Sequence, residues 1–479
     1  MPHPTRIETD MLGEIKVPAH AYYGINTVRA LENFPITGTP ISSSPELINA
    51  LACVKQAAAL ANHDLGLLDA ERAHAIVAAC VEIRAGALHD QFMVDVIQGG
   101  AGTSTNMNAN EVIANRALEL IGRERGDYAM IHPNEHLNLS QSTNDAVPTA
   151  LKIASWVEIH ELIDAMDLLR VAFEAKAREF KAIVKMGRTQ LQDAVPMTLG
   201  QEFSAYAEML SEDVLRLREA ARLICEINMG ATAVGTGINS HPEYAGSVCT
   251  HLAQITGIPF VTAPNLVEAT QDAGAFVQVS GVLKRVAIKL SKVCNDLRLL
   301  SSGPRTGLGE INLPPMQAGS SIMPGKVNPV IPEVVNQIAY EVIGNDVTVS
   351  FAAEAGQLQL NAFLPIIAHS IFKSMKHLRN GCITLTEHCV RGITANRDRI
   401  EEHMDRSIGI ITALNPYIGY ANANEIAQEA LRTGRRVADL VLEKKLLTKK
   451  QLDEILRPET LTQPLAPAGI SSPPKRRVA

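Results

Sequence analysis

A chain of 479 residues, 46% apolar but only 4% aromatic, is long enough for two to four domains and a large core. A net charge of -7 and an isoelectric point near 6.1 exclude the broad basic field of a nucleic-acid-binding protein. Seven cysteines (53, 80, 225, 249, 294, 382 and 389) are odd in number and form no CxxC pair, so a zinc site or disulfide framework is set aside. The polar start from Met1 to Asp10 lacks the apolar centre of a signal peptide, and no uncharged run reaches the roughly 18 residues of a membrane helix. The expectation is a soluble cytoplasmic protein with reduced thiols and no nucleic-acid or membrane partner.

Residues 1–45 are mixed, with short extended pieces such as Ile15-Lys16-Val17-Pro18. From 46 to 90 the pattern turns helical, Leu47, Leu51, Val54 and Ala58 recurring at three- and four-residue steps. Residues 98–110 form a polar, glycine-rich entry to another helix. A long helix is predicted over 147–180, with Trp156, Ile159, Ile163, Met166 and Leu169 on one stripe, and others over 197–228 and 270–302. Val277, Val279, Val282, Leu283, Val286, Ile288 and Leu290 surround much of the last, which must be covered on several sides by a bundle or a helical subunit interface. One helix is expected at 330–352 and two near 357–395. The pattern breaks at Asn396–Tyr420, and a small helical unit ends in a helix opened by the capping box Thr448-x-x-Gln451. From Arg457 the proline-rich chain, including the basic run Lys475-Arg476-Arg477, reads as a solvated, disordered tail. With no internal repeat and no strand–helix alternation, the fold class is mainly α, organised around long bundled helices.

The richest chemistry lies in Gly319-Ser320-Ser321-Ile322-Met323-Pro324-Gly325-Lys326-Val327-Asn328-Pro329. Glycine and proline punctuation reads as a loop, one able to close over a ligand with serine as a candidate base and Lys326 and Asn328 as partners for a carboxylate. It is not a P-loop, because five residues separate Gly319 from the Gly325-Lys326 pair and Val327 follows the lysine. Three further polar segments interrupt apolar sequence: Gly102-Thr103-Ser104-Thr105-Asn106, Ser140-Gln141-Ser142-Thr143-Asn144-Asp145 and Gly187-Arg188-Thr189-Gln190-Leu191-Gln192-Asp193. Hydroxyls and free N–H groups at a helix start suit an anion, while plain N-capping explains each segment taken alone. Arg29 is open to two readings, a substrate carboxylate or a salt bridge. His132 and His136 have i,i+4 spacing, but Pro133 argues against a shared helical turn and a metal site there. No cofactor or metal ligand set is identified.

Together these four segments resemble the fumarase/aspartase superfamily, over nearly the whole chain. Gly319 to Pro329 is similar to its mobile catalytic loop, and three features point to the ammonia-lyase branch. They are Val330-Ile331-Pro332-Glu333-Val334-Val335-Asn336-Gln337, Ser142-Thr143-Asn144, and the opening Tyr22-Tyr23-Gly24-Ile25-Asn26-Thr27. The resemblance implies a three-domain fold: 1–142, a central helical bundle at 143–396 and a small helical domain at 397–456, with the tail at 457–479. It implies a homotetramer whose core is the bundle and whose active sites combine segments of three subunits. It also implies elimination of ammonia from L-aspartate, a small dicarboxylate, with Ser320 as base, and no cofactor. Thr103, Ser142, Thr143, Asn144 and Thr189 would bind substrate, with Ser321, Lys326 and Asn328 completing the closed loop. Gln190 stands where fumarases carry histidine, and glutamine cannot exchange a proton near neutral pH, which fits loss of an ammonium better than dehydration. Gly325 departs toward fumarases, many aspartases having alanine there. A fumarate hydratase and a non-catalytic, lyase-like structural protein are the alternatives.

Overall fold

The computed structural model describes residues 4–464. Strands β1 (Thr5–Asp10) and β2 (Gly13–Pro18) pair antiparallel, Ile7 opposite Lys16. Helices α1 (Ile25–Asn33), α2 (Pro45–Asp64), α3 (Ala70–Arg84) and α4 (Thr103–Leu120) follow, and one π-helical turn at Pro133–Leu137 precedes α5 (Thr143–Glu179). The hairpin β3 (Val184–Thr189) and β4 (Gln192–Thr198) leads into α6 (Leu199–Leu223). Next come β5 (Glu226–Ile227), α7 (Thr232–Gly235), α8 (Tyr244–Thr256), β6 (Val261–Thr262), which is parallel to β5, and α9 (Leu266–Gln271). Then follow α10 (Gly274–Leu300), β7 (Ile311–Asn312), α11 (Val330–Glu354), α12 (Leu364–His388) and β8 (Thr394–Ala395), antiparallel to β7. The chain ends in α13 (Arg397–Arg406), α14 (Ile411–Ile418), α15 (Tyr420–Thr433), α16 (Val437–Glu443), α17 (Lys449–Ile455) and α18 (Pro458–Leu461).

The sequence expectations need four adjustments. The helical run 46–90 is two helices, because α2 ends at Asp64 and Asp69 caps α3 by accepting from the Arg72 N–H. The helix expected from 197 starts at Leu199, since residues up to Thr198 pair with β3. Only one helix, α12, occupies most of 357–395: Asn361 donates its amide to the carbonyls of Ala352 and Ala353 and accepts from Phe363 N–H, fixing residues 355–363 as a turn. The tail expected from Arg457 first forms α18, and Gln201 donates to the Thr462 carbonyl; Lys475-Arg476-Arg477 lies outside the described residues.

The chain divides into two compact units, and each division falls within a long helix. The first contains residues up to Ala165, Asp213–Lys289 and Gln337–Asn380. Its centre is α2, buried nearly all round by Ile48, Leu51, Val54, Ala57, Ala58 and Ala61 and packed on α3, α4 and α8. Each fully buried Leu, Ile or Val stabilises by roughly 1.5–3 kcal/mol, and the alanines let the helices approach closely. The motif after Tyr22 is explained here. Glu111 and Glu8, from α4 and β1, accept the backbone N–H groups of Gly24, Ile25, Asn26 and Thr27 at 2.7–3.1 Å, doing for α1 what an N-cap side chain does elsewhere. A Cβ on Gly24 would stand 2.6 Å from Glu8 Oε2. Asp346 of α11 accepts from Ser280 and Lys284 of α10, and Asn345 donates to Ser374 of α12.

The second unit contains Met166–Glu212, Leu290–Asn336 and the residues from Gly381 on. Phe173, Phe180, Phe203 and Tyr206 meet edge-on or, for Phe173 and Phe203, tilted, at 5.2–6.0 Å between ring centres, joining α5 to α6. Leu414, Ile418, Ile426, Leu440, Val441 and Leu452 form the C-terminal core, and the capping box at Thr448 and Gln451 is present with both of its bonds. Along α10, Val279, Val282, Leu283, Val286 and Leu290 are buried, while Ile288 is 51% exposed.

Candidate active site

In the first unit, Ser142 immediately precedes α5, and Thr143 and Asn144 open it. Asp145 is fully buried beneath them and accepts from the N–H groups of Ser142, Gly230 and Thr232 at 2.9, 3.1 and 3.4 Å. One carboxylate therefore ties the start of α5 to the loop after β5. In that loop Ala233 has φ 47° and ψ -90°, outside the regions open to a residue with a side chain. Asn144 holds the strained residue by donating to the Ala233 carbonyl at 2.8 Å, and Asn228 donates to the Asn144 carbonyl. Asn106, Asn138, Gln141, Ser142, Thr143 and Thr232 line a cavity of about 580 Å³. Thr103 opens α4 one turn before Asn106, on three successive positive-φ residues (Gly100, Ala101 and Gly102), and its hydroxyl donates to the Gly100 carbonyl at 2.7 Å.

Beneath this cavity stands Lys55, a residue that sequence reasoning missed. Its ammonium is fully buried and donates to Asn106 Oδ1 at 2.7 Å, Gln141 Oε1 at 2.8 Å and Asn138 Oδ1 at 3.2 Å. Asn106 in turn donates to Thr143 Oγ1 at 3.3 Å. Burial pushes the Lys55 pKa down to about 7 against the attraction of Asp145, and burial pushes Asp145 up to about 6 against its backbone donors.

The second unit holds the other candidates. Thr189 ends β3, and the two residues between the strands, Gln190 and Leu191, have φ 53° and 61°. That is the two-residue turn matching the twist of a hairpin, occupied here without glycine, at a cost of order 1 kcal/mol or more per residue. Thr189 and Gln190 are exposed at its tip. Behind the tip, Glu310 is fully buried against Arg188 (2.6 Å), Lys185 (2.9 Å) and His403 (3.2 Å). Burial raises its pKa, but the two cations outweigh that and hold the carboxyl below the usual glutamate value. The loop from Gly319 is closed by its own backbone: Gly319 N–H donates to the Lys326 carbonyl at 2.8 Å, and Asn328 donates to the Gly319 carbonyl at 2.9 Å. Within it Ser320 Oγ accepts from the N–H groups of Ile322 (3.2 Å) and Met323 (3.0 Å). Ser320 is half-buried, while Ser321 and Lys326 are exposed.

A lyase family model matches residues 13–344, and a model of the fumarase C C-terminus matches 410–463. The aspartate ammonia-lyases of Helicobacter pylori and Escherichia coli are 58% and 54% identical, each over 96% of this chain and over 98% and 96% of their own. The chain belongs to the aspartate ammonia-lyase family. A fumarate lyase:delta crystallin from Brucella melitensis, solved bound to cobalt, superimposes with a TM-score of 0.94 at 55% identity, covering 96% of this chain and 100% of its own. The class II fumarase of Schistosoma mansoni does so with 0.90 at 36% identity, over 95% and 98%.

In this family member the open readings resolve by geometry. Arg29 is held by Asp10 through two bonds of 2.7 Å, so it is a salt-bridge residue here. His132 Nδ1 accepts from the Asn134 and Glu135 N–H groups and His136 Nδ1 from the His132 N–H, so each serves the local turn. Among the described residues, no cluster of three or more His, Cys, Asp or Glu is placed to hold a metal ion, and no helix is long and apolar enough to cross a membrane. All seven cysteines are buried and unbridged.

Proposed function

We infer that this ammonia-lyase converts L-aspartate reversibly to fumarate and ammonia, by abstraction of a Cβ proton to give an aci-carboxylate intermediate. The observation that carries the mechanism is the pair of backbone N–H groups on Ser320 Oγ. A serine hydroxyl is a poor base until its oxyanion is stabilised, and two fixed donors favour the alkoxide. Ser320 takes the proton. The dianion that results is spread over the adjacent carboxylate, where Lys326 and Asn328 meet the added charge. Thr103, Ser142, Thr143, Asn144, Thr189 and Ser321 bind the carboxylates and the amino group. The ammonium then leaves as neutral ammonia and needs no further acid, which is why Gln190 can stand at a position that dehydration would fill with a proton donor.

The active sites are shared within a cytoplasmic homotetramer, so that exposed Thr189, Ser321 and Lys326 meet the α5 turn of other subunits. The enzyme uses no cofactor. Incubation with L-aspartate and, separately, with L-malate tests the reading: fumarate and ammonia appear together from aspartate, and turnover of malate alone would establish the hydratase instead. Gly325 leans toward the hydratase by residue type, but its φ of +82° with open space around it reflects a backbone requirement rather than acid–base chemistry.

A further inference from the structure

The first unit contains another cavity, of about 490 Å³, between the segment Thr37–Glu46, α5 and α12. It shares no lining residue with the candidate active site. Glu158 of α5 reaches it while only 7% exposed, and its Oε2 meets no hydrogen-bond partner among the described residues. A buried carboxyl oxygen left without a partner costs about 1–3 kcal/mol even when neutral, and more when charged. That oxygen faces the cavity as a group able to accept or, when protonated, to donate.

The surrounding groups decide which. Burial, then the carboxylate of Glu46 on α2, push the Glu158 pKa up to about 8, against Arg379 and Lys376 of α12. Near neutral pH the group is a carboxylic acid and can donate. Lys376 is exposed at the rim and has no ion-pair partner among the described residues, whereas Arg379 holds Glu161 and Lys373 holds Glu341. His377 also bonds Glu341, at 2.5 Å, and the pKa of His369 is lowered by burial and by Lys373. Ser44, the residue before α2, makes no capping bond with its hydroxyl. Free donors thus outnumber free carboxylates, and the cations repel a metal ion.

We propose that this cavity is a small-oxyanion site, taking a sulfate- or phosphate-sized group between the Lys376 ammonium, the Ser44 hydroxyl and the acid proton of Glu158. The occupant accepts from a carboxylic acid, so binding weakens as that acid ionises. Glu46, Arg379 and His369 set the local field, and the paired Lys373 and His377 contribute little.

The test is calorimetric titration of the full chain with sodium sulfate, a dianion at every pH used, with saturating fumarate present to fill the reaction site. Wild type binds sulfate at pH 7 and about tenfold more weakly, or worse, at pH 9. K376M, a rim substitution with no packing cost, weakens binding at pH 7 by about tenfold or more. E158Q, which keeps a donor at every pH, binds equally at pH 7 and 9. Absence of sulfate binding at pH 7 overturns the proposal. So does binding indifferent to K376M, or an E158Q pH profile that copies the wild type.

Discussion

Replacing Lys55 with methionine separates two consequences of burying a charge. The lysine is enclosed on all sides, and its pKa falls from the ordinary 10.5 to about 7. At about 1.4 kcal/mol per unit, that places the protonated form about 5 kcal/mol less favourably in the folded than in the unfolded chain. The unfolded chain keeps its proton up to about 10.5, and the folded chain releases it near 7, so unfolding takes up a proton between these values. Stability contributed by this group therefore rises with pH, by about 2 kcal/mol from pH 7 to pH 9, and flattens below 7. K55M removes that rise. It also strips the only donor among the described residues from Asn106 Oδ1 and Gln141 Oε1, at about 1–3 kcal/mol each, while Asn138 Oδ1 keeps donors from Asn106 and Asn110.

The variant should therefore lose little at pH 6, where relief of the buried charge offsets the orphaned oxygens, and progressively more toward pH 9. Urea unfolding of both proteins at pH 6, 7, 8 and 9 reads the difference directly; groups remote from Lys55 cancel between them, while Asp145, whose pKa Lys55 lowers, adds its own change near pH 6. A stability gap constant to within about 0.5 kcal/mol over that range refutes the burial argument. Turnover should fall as well, about tenfold to a hundredfold, because Asn106 positions the Thr143 hydroxyl.

Ser320→Ala should retain secondary structure by circular dichroism but lose at least 10²–10⁴-fold in aspartate turnover, the usual worth of a general base; near-normal turnover would remove Ser320 from the chemistry. Gly319→Ala places a Cβ 2.4 Å from the Lys326 carbonyl oxygen, so the loop must open at its base. A drop of about tenfold or more in kcat with unchanged thermal stability is the expected reading. Glu310→Gln leaves Arg188 without its buried counter-charge and should destabilise by about 3–5 kcal/mol at pH 7. Because the Glu310 pKa is held below 4.5, wild type loses this stabilisation as the pH falls through that lowered value, and the gap to E310Q in acid unfolding should narrow there.

The fold was legible where one apolar stripe repeats every three or four residues, as along α5, and illegible where a single polar side chain decides the path. Nothing in the periodicity of 357–395 distinguishes one helix from two; the three bonds of Asn361 do. The hairpin before α6 was missed for a similar reason, since its turn uses Gln190 and Leu191 at positive φ instead of glycine or asparagine. At the candidate site, Ser320 and its partners stood out because glycine and proline mark a loop. Lys55 did not. A lone lysine in an alanine-rich helix reads as solvent-facing, and only the arrival of Asn106, Asn138 and Gln141, 51 to 86 positions away, makes it an interior cation.

That blind spot has a physical pattern. Two of the segments visible in sequence and proposed to meet the substrate are held by buried charges, Ser142–Asn144 by Asp145 and Lys55 and the Thr189 hairpin by Glu310, whereas the loop from Gly319 is closed by its own backbone. Asp145 titrates near 6 and Lys55 near 7, so the α5 turn rests on a pair whose net charge shifts across neutral pH. The pair loses positive charge as the pH rises through this range, beneath hydroxyls proposed to hold a carboxylate. Aspartate affinity at this turn should accordingly weaken as the pH rises from 6 to 8, and K55M should flatten that dependence. An unchanged KM profile in the variant would mean the pair supports the turn mechanically without tuning its field.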